Sequence, residues 1–419
     1  MLFFVRILKR FKMSAAYQIS EVIKEKSGIK RLTLTDFRNY AFLRFEPDIC
    51  PIIITGENGS GKTNILEAIS FLTPGRGLRS AKMADIKRMT PAVVNENYAR
   101  QDKAYSWAVS AEVFKNGAPY TLATAAQKTK KEYDDDTRIF ERRFVQIDGE
   151  KAATQAELGK YLSAVWITPQ MDRIFLGGPQ PRRSFLDRIV YAFDLEHAKR
   201  TAAFEHLYKE WFRLIKSGVK DNLWLLSLEE QIAAVGVSIA AARREVVAKL
   251  NTFIENEPDD VFPDLMLSLD GKIEQMLDKL PAIDVEDYYK ESLYQNRKNV
   301  LQNDNVEGVN RTDFKVYFKK KHMPAELCST GEQKSLLVSI ILAETKCQIL
   351  NKGFAPVLLL DEVTTHLDDI KRDALLEKIK DLNLQAFITS TDVSAFRILK
   401  SDAAFFELKN NQILPRKGF

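Results

Sequence analysis

The sequence is poor in the residues that build disulfide frameworks and metal centres. Its 419 residues include only three cysteines, Cys50, Cys328 and Cys347. They are too few and too far apart for a disulfide framework or a cysteine-based zinc site. The four histidines are equally scattered, which argues against a His-rich metal centre. Together with the lack of a secretory signal, the sparse cysteine predicts a cytoplasmic protein.

Long apolar runs are also missing. No uninterrupted run approaches the roughly 18–20 residues that span a bilayer, so the sequence predicts no membrane-spanning helix and no membrane partner. A secretory signal is excluded because Arg6 interrupts the apolar stretch of residues 1–13 and no small-residue cleavage site follows. Residues 1–28 are therefore predicted to be a flexible leader, with Met13 as an alternative start; a surface-seeking amphipathic segment is the alternative for residues 1–13.

Net charge is almost absent outside this leader. The formal net charge is +5 and the pI is about 8.8. Residues 1–31 hold eight basic and two acidic residues, which leaves 54 basic and 55 acidic residues in the rest of the chain. The basic pI therefore says nothing about nucleic-acid binding.

What the sequence does contain is a strand and helix alternation at both ends. PIIIT (51–55) and VLLL (357–360) are short apolar runs typical of buried parallel strands. Residues 63–72 have helical spacing. Charged, Leu- and Ala-rich stretches typical of helices fill residues 184–300. The polar stretch 128–138 is predicted to be a solvated loop.

These patterns predict an α/β protein whose core is assembled from both ends of the chain. We expect a first core segment at 29–185, an inserted helical lobe at 186–311 and a second core segment at 312–419. The lobe lacks sustained heptads, so a long coiled coil is not expected.

A phosphate-binding loop stands between the first buried strand and the helix that follows it. GENGSGKT (56–63) fits G-x-x-x-x-G-K-[ST] in full. Glycines allow the tight turn that presents backbone N–H groups to phosphate, Lys62 would reach the β- and γ-phosphates, and Thr63 would ligate Mg²⁺. The predicted ATP-binding residues are Gly56, Glu57, Asn58, Gly59, Ser60, Gly61, Lys62, Thr63 and Asn64.

An apolar strand near the other end of the chain ends in two acids, and the first of them, Asp361, lies 299 positions after Lys62. In PVLLLDEVTTHLD (356–368), Asp361 is placed to hold Mg²⁺ and Glu362 to polarise the attacking water. A compact kinase or GTPase would have these two motifs much closer together. The spacing therefore supports one site built from both ends of the chain.

A second glycine-containing motif precedes this strand by one helix. CSTGEQKSLL begins at residue 328, and Ser329 is predicted to cap the helix. Its position, some 30 residues before Asp361, matches the ABC-type signature, which meets the nucleotide held by another subunit. The predicted signature residues are Ser329, Thr330, Gly331, Glu332 and Gln333, and the predicted D-loop residues are His366, Leu367 and Asp368.

Taken together, these motifs resemble the RecF family of bacterial recombination-mediator ATPases, which is related to SMC proteins. The resemblance rests on GENGSGKTN, PRRSFLDR (181–188), STGEQKSLL, LLLDEVTTHLD and ITSTD (388–392), with FRNY (37–40) near the start. It implies an ABC-type, SMC-like ATPase head with an inserted helical lobe. It also implies that Gln170 contacts magnesium and that Thr391 and Asp392 replace the switch histidine of transporters.

The resemblance further implies a weak, DNA-stimulated ATPase that uses ATP and Mg²⁺. Family members form homodimers on binding ATP, and slow hydrolysis separates the two heads again. They bind single-stranded and duplex DNA and gap junctions, and with RecO and RecR they help load RecA. Their processes are DNA replication, recombination, repair and the SOS response.

Candidate phosphate contacts to DNA lie in three basic clusters, although such a cluster is more often just a solvated face. Arg182 and Arg183 could instead pair with acids such as Asp187. Two rivals, an ABC transporter ATPase and a long-armed SMC protein, fit the motif spacing less well, and another SMC-like or OLD-like ATPase with an unknown partner stays open. The candidate DNA contacts are Arg76, Arg79, Lys82, Arg142, Arg143, Lys319, Lys320 and Lys321.

Overall fold

The computed structural model describes residues 25–88, 105–133, 136–218, 221–301, 306–365 and 367–416, together with residues 19 and 22. The predicted leader lies almost wholly outside this part of the chain. The protein divides into two compact units, which we call unit 1 (Met1–Met171 with Glu344–Phe419) and unit 2 (Asp172–Ala343). Unit 2 thus extends past the predicted lobe on both sides.

The described helices and strands fall into three successive groups, because the first and last parts of the chain both belong to unit 1. The first part of unit 1 holds β1 (Gly28–Phe37), β2 (Tyr40–Phe45), β3 (Pro51–Thr55), α1 (Lys62–Ser70), α2 (Met83–Ile86), β4 (Tyr105–Lys115), β5 (Ala118–Tyr133), β6 (Asp136–Ile147), β7 (Glu150–Lys151) and β8 (Ala164–Ile167). Unit 2 holds α3 (Pro179–Phe193), α4 (His197–Lys216), α5 (Asn222–Asn256), β9 (Leu265–Asp270), α6 (Lys272–Met276), α7 (Ala282–Gln295), α8 (Arg297–Leu301), β10 (Asp313–Phe318) and β11 (Met323–Pro324). Helix α9 (Thr330–Lys352) begins in unit 2 and ends in unit 1, which is completed by β12 (Val357–Asp361), α10 (Asp369–Asp381), β13 (Ala386–Ser390), β14 (Ala404–Lys409) and β15 (Gln412–Pro415).

A mainly parallel sheet in unit 1 brings the two ends of the chain together. Its strand order is β15-β14-β3-β13-β12-β8, and only β15 runs antiparallel. Strands β3, β12 and β13 are buried at every position, as their continuous apolar runs predict. Because the strands are parallel, the loops that follow β3, β8, β12 and β13 gather at one edge of the sheet.

An antiparallel sheet of order β2-β1-β4-β5-β6-β7 forms the second layer of unit 1. Its inward residues share one apolar core with α1 and the parallel sheet. The rings of Phe37 and Trp107 meet edge to face at 5.7 Å within that core. The Gln385 amide links the two sheets, since it accepts from the Ile29 N–H at 2.7 Å and donates to the Ile29 carbonyl at 2.8 Å.

The prediction of a solvated loop at residues 128–138 is wrong. Strand β5 continues to Tyr133, β6 starts at Asp136, and the two strands pair in register from Leu122↔Ile147 to Tyr133↔Asp136. Backbone pairing satisfies the hydrogen-bonding groups of a polar segment as fully as those of an apolar one, so polarity alone could not exclude a strand. Residues 134–135, between the two strands, fall outside the described residues.

Unit 2 is built on the hairpin of α4 and α5. Its apolar core draws on these helices and on α6 and α7, and a three-stranded antiparallel sheet, β11-β10-β9, completes the unit. The Trp211 indole N–H donates to the buried Glu229 carboxylate at 2.8 Å, and Arg297 pairs with the same carboxylate at 2.6 Å. This buried charge is therefore fully compensated.

Helix α5 qualifies by length and composition alone as a candidate membrane span, although its apolar stretch is interrupted by charges. Half of its most apolar window is buried inside the protein. Two of its charged residues, Glu229 and Arg243, are buried and ion-paired. These contacts are those of a core helix.

The motif PRRSFLDR lies in α3 and contributes a residue to each of two further buried ion pairs of unit 2. Arg182 forms a two-bond pair with Asp313, at 2.7 and 2.8 Å. Asp187 forms another with Arg243, at 2.8 and 2.9 Å, and also contacts His197 Nε2 at 2.9 Å. Arg182 thus has a structural role in an ion pair, which is one of the interpretations that the sequence left open, but its acidic partner is Asp313 and not Asp187.

Candidate nucleotide-binding site

The phosphate-binding loop connects β3 to α1 with the conformations that its glycines permit. Gly61 precedes the first residue of α1 at φ 106°, a left-handed value that favours glycine. A Cβ atom there would lie 2.4 Å from Asn39 Nδ2, so a side chain at this position would also clash. The loop therefore has both the backbone freedom and the close packing that its motif predicts.

Lys62 lies inside this loop with its side chain largely buried. Its ammonium group donates to the carbonyls of Gly56 at 2.8 Å and Glu57 at 2.9 Å. Burial lowers the pKa of Lys62, and the nearby carboxylates of Glu362 and Asp361 partly offset that effect. The cation is thus held where the loop closes on itself, beside the two acids.

The two ends of the chain meet at the hydroxyl of Thr63. It donates to Asp361 Oδ1 at 2.9 Å across 298 positions of sequence, and the Thr389 hydroxyl donates to the same oxygen at 2.7 Å. A hydroxyl and a carboxylate oxygen are ligands suited to Mg²⁺. Gln170 is exposed in the turn after β8, at the same edge of the sheet, so the donor set fits the metal that the sequence predicts.

Glu362 follows Asp361 in a strained backbone conformation. Its φ is 49°, which is unusual for a residue with a side chain. The Glu362 N–H donates to the Thr389 hydroxyl at 3.1 Å and holds this conformation in place. Such strain at the tip of a strand is common where a catalytic group must be aimed.

A bracing network around the loop was not predicted from the sequence. Asn39 donates to the Ser60 carbonyl at 3.3 Å and to Asn411 at 2.6 Å, and accepts from Asn64 at 2.7 Å. The Tyr40 hydroxyl donates to the Gly61 carbonyl at 3.1 Å. The FRNY motif was noted for its resemblance, but only the fold shows that it supports the phosphate-binding loop.

Among the predicted DNA contacts, Arg79 is tied to the nucleotide-binding helix. It donates to Asn64 at 2.9 Å and pairs with the buried Glu67 at 3.3 Å. Arg38 completes this pair with two bonds to Glu67, at 2.8 and 2.6 Å. Arg76 and Lys82 are exposed in the same segment.

The prediction that Arg143 contacts DNA is wrong. Its guanidinium is enclosed: it donates to the carbonyls of Gly75 at 2.5 Å and of Phe71, and to Gln155 at 2.9 Å, and it lies 5.2 Å from the Phe71 ring. Burial lowers the pKa of Arg143 to about 10. Adjacent strand residues point to opposite faces, so Arg142 is exposed while Arg143 is structural.

The third basic cluster lies in unit 2. Lys319 pairs with Glu255 at 3.4 Å, Lys321 pairs with Glu332, and Lys320 is exposed. Two of the three cations therefore already have acidic partners within the protein.

The signature motif of unit 2 opens α9 with a capping box, which confirms that Ser329 caps this helix. The Ser329 N–H and hydroxyl both donate to Glu332 at 2.9 Å, and the Glu332 N–H approaches the Ser329 hydroxyl at 3.4 Å. Bonds from Lys321 and Ser329 lower the pKa of Glu332 to about 2. Gln333 is buried and donates to the Cys328 carbonyl at 3.0 Å, while Thr330 and Gly331 form the first turn.

The remaining predicted residues lie on the loops after β12 and β13. His366 falls outside the described residues, Leu367 is buried, and Asp368 caps α10 by accepting from the Lys371 N–H at 2.8 Å. Thr391 is exposed. Asp392 accepts from the Ser394 hydroxyl at 2.6 Å and from its N–H at 2.8 Å, which lowers the pKa of Asp392.

Comparison with known proteins decides the family. The protein-family model described as the RecF/RecN/SMC N-terminal domain matches residues 28–412 of this chain. The DNA replication and repair protein RecF of Allorhizobium ampelinum is 38% identical over 391 residues, which cover 93% of this chain and 99% of that protein. Its counterpart in Agrobacterium fabrum is 38% identical over 394 residues, covering 94% and 100%. The chain belongs to the RecF family.

Solved structures of RecF proteins share the fold. A structure described as the recombination mediator protein RecF-ATPrS in the RecFOR pathway has a TM-score of 0.77 at 21% identity and covers 94% of this chain and 99% of its own. The RecF-ATP structure has a TM-score of 0.72 at 20% identity, with 93% and 99% covered. The protein thus has the SMC-like ATPase head fold that the motifs predicted for a RecF family member.

Proposed function

We propose that this protein is an ATP-dependent DNA-binding protein of recombinational repair and replication. The single observation that carries the proposal is the bond between Thr63 and Asp361, which joins the phosphate-binding loop to the acidic end of β12 across 298 positions. RecF relatives at 38% identity are named DNA replication and repair proteins, which supports the same role here.

In this proposal the residues of unit 1 bind and cleave ATP. The loop N–H groups and Lys62 hold the phosphates, and Thr63, Asp361 and Gln170 hold Mg²⁺. The metal, when bound, supplies charge neutralisation at the phosphates. Glu362 orients the attacking water and accepts its proton.

We further propose that ATP joins two copies of the chain. The signature of one copy, at the N-terminus of α9, would contact the γ-phosphate held by the other, because a helix N-terminus with free N–H groups attracts anions. His366, Leu367 and Asp368 would lie beside that interface, and Thr391 with Asp392 would take the place of a γ-phosphate sensor. Slow hydrolysis would then release the two copies from each other.

The proposed partners are single-stranded DNA, duplex DNA and their junctions at gaps. RecO and RecR would act with the protein in the cytoplasm, during DNA repair and the SOS response, and RecA would load at the gaps. The RecFOR pathway named for the structural relatives supports this group of partners. An OLD-like ATPase with another partner is the alternative.

We expect gapped duplex DNA to stimulate the ATPase severalfold over the rate without DNA. The physical reason is that DNA and ATP, when both bind the dimer more tightly than the monomer, shift the same monomer–dimer equilibrium toward the dimer. The measurement is phosphate release by the wild-type protein with gapped duplex, intact duplex or no DNA, with Glu362→Gln as the inactive control. An ATPase that responds to none of these DNAs would favour the OLD-like alternative.

A Ser329→Arg protein is expected to bind ATP normally and to stay monomeric. Arginine would place bulk and a fixed cation where a partner's nucleotide must approach, whereas the ATP-binding loop in unit 1 is untouched. Light scattering with Mg²⁺-ATP measures the mass, and fluorescent-nucleotide titration measures binding. Ser227→Arg, at an exposed position of α5, is the matched control. A normal ATP-dependent dimer of Ser329→Arg would rule out the signature interface.

A further inference from the structure

The long hairpin of β5 and β6 extends beyond the sheet to which it belongs. Strand β4 starts at Tyr105, which pairs with Gln127. Past Gln127 the residues 128–133 of β5 pair only with residues 136–141 of β6, among the described residues. We call this extension, with its base pair Gln127↔Arg142, the ribbon.

The register of the hairpin assigns the residues of the ribbon to two faces. Cross-strand partners share a face, and successive partners alternate between faces. Leu122, Ala126 and Val145 lie in the core of unit 1, so their face is the inner one. Gln127 and Arg142 pair with each other and alternate along the strands with these core residues, and both are exposed. The face that carries Gln127 and Arg142 is therefore the outer one.

The two faces of the ribbon differ in charge and in aromatic content. The outer face carries the pairs Gln127↔Arg142, Thr129↔Phe140, Lys131↔Arg138 and Tyr133↔Asp136. The inner face carries Lys128↔Glu141, Lys130↔Ile139 and Glu132↔Thr137. The outer face thus has three basic residues, one acidic residue and two aromatic residues, whereas on the inner face two basic residues are balanced by two acidic ones.

The same character continues from the ribbon onto the sheet. Phe144 follows Arg142 on the outer face, and the Lys151 ammonium lies 5.9 Å from the centre of its ring. Basic residues that alternate with aromatic residues fit a nucleic-acid strand, because cations neutralise phosphates and rings stack on bases. A two-stranded ribbon also matches the width of a DNA groove.

We propose that the outer face of the ribbon is a DNA-binding surface of this protein, with Arg142, Arg138 and Lys131 as phosphate contacts. The proposal rests on the DNA binding proposed above and places that binding on one face of one hairpin. It also explains why neighbouring arginines differ, since Arg143 belongs to the inner face and is bonded within the protein.

The test compares two double variants with the same loss of charge. Arg138→Gln with Arg142→Gln removes two cations from the outer face, and Lys128→Gln with Lys130→Gln removes two from the inner face of the same hairpin. Binding of fluorescent single-stranded and duplex oligonucleotides is measured with Mg²⁺-ATP over a range of salt. For the outer variant we expect the salt slope to fall by about two and the affinity to fall about tenfold, with the inner variant close to wild type.

The outcomes separate this proposal from the one on which it rests. Equal effects of the two double variants, or no effect of the outer one while the wild type binds DNA, would overturn the ribbon assignment alone. A wild-type protein that binds no DNA with ATP would overturn the DNA-binding function itself. ATP-dependent dimer mass and melting temperature, measured on every variant, confirm that the outer variant is folded and binds nucleotide.

Discussion

A Lys62→Ala protein is expected to bind ATP about 100-fold more weakly than the wild type and to lose its ATP-dependent dimer. Lys62 is the cation at the closure of the phosphate-binding loop, where it donates to the carbonyls of Gly56 and Glu57. Hydrogen bonds to charged groups contribute about 1.5–3 kcal/mol each, and about 1.4 kcal/mol is a tenfold change in affinity. Loss of the proposed contacts to two phosphates, each at the lower value, therefore predicts an effect of about this size.

The measurement is titration of a fluorescent ATP analogue with Mg²⁺, followed by light scattering of the same samples. Lys409→Ala, at an exposed lysine of β14 in the same unit, is the matched control and should behave as the wild type. Lys62→Met separates the charge from the aliphatic stem, because methionine retains similar length without the ammonium group. Nucleotide affinity that is unchanged in both Lys62 variants would contradict the assignment of the loop.

The parts of this site that the sequence predicted are those with a local signal. The loop around Lys62, the strand that ends at Asp361 and the cap at Ser329 each combine a motif with a recognisable strand or helix. Their meeting could be expected because both strands are buried and parallel, and the carboxyl ends of parallel strands lie at one edge. The bond from Thr63 to Asp361 is the detail that confirms it.

The parts that the sequence could not predict depend on long-range register. Arg142 and Arg143 are identical in type and adjacent, and only the pairing of β5 with β6 shows that one is exposed and the other enclosed. Asn39 likewise reaches Asn411, 372 positions away, which no local pattern encodes. Polar residues 128–138 read as a loop because charge predicts exposure, and exposure is compatible with either a loop or a ribbon.

An Asp187→Ala protein is expected to lose about 3–5 kcal/mol of stability in unit 2. Asp187 on α3 accepts two bonds from Arg243 on α5, and the Arg243 side chain is only 4% exposed. Removing Asp187 takes both of these bonds from a buried cation whose other acidic partner, Glu274, lies farther away at 3.5 Å, and breaking a buried pair costs far more than a surface pair contributes. Hydrogen exchange of the α3 and α5 amides measures the change, with Glu196→Ala, whose pair with Lys199 is exposed, as the control.

The dependence of the stability of unit 2 on acidic pH tests the same pair, Asp187 and Arg243, without a substitution that leaves a cavity. Burial alone would raise the pKa of Asp187, but Arg243 and His197 together outweigh burial and lower it from its ordinary value of 3.8 to about 2 in the folded protein. A carboxyl whose pKa is lower in the folded state stabilises it fully above the unfolded pKa, and that contribution is lost as the pH falls through the folded value. The wild type should therefore lose protection between about pH 4 and pH 2. Asp187→Asn should be less stable than the wild type at pH 7 and should lack this pH-dependent loss, so the stabilities of the two proteins should converge near pH 2. A stability difference that stays constant from pH 4 to pH 2 would show that the ion pair is not its source.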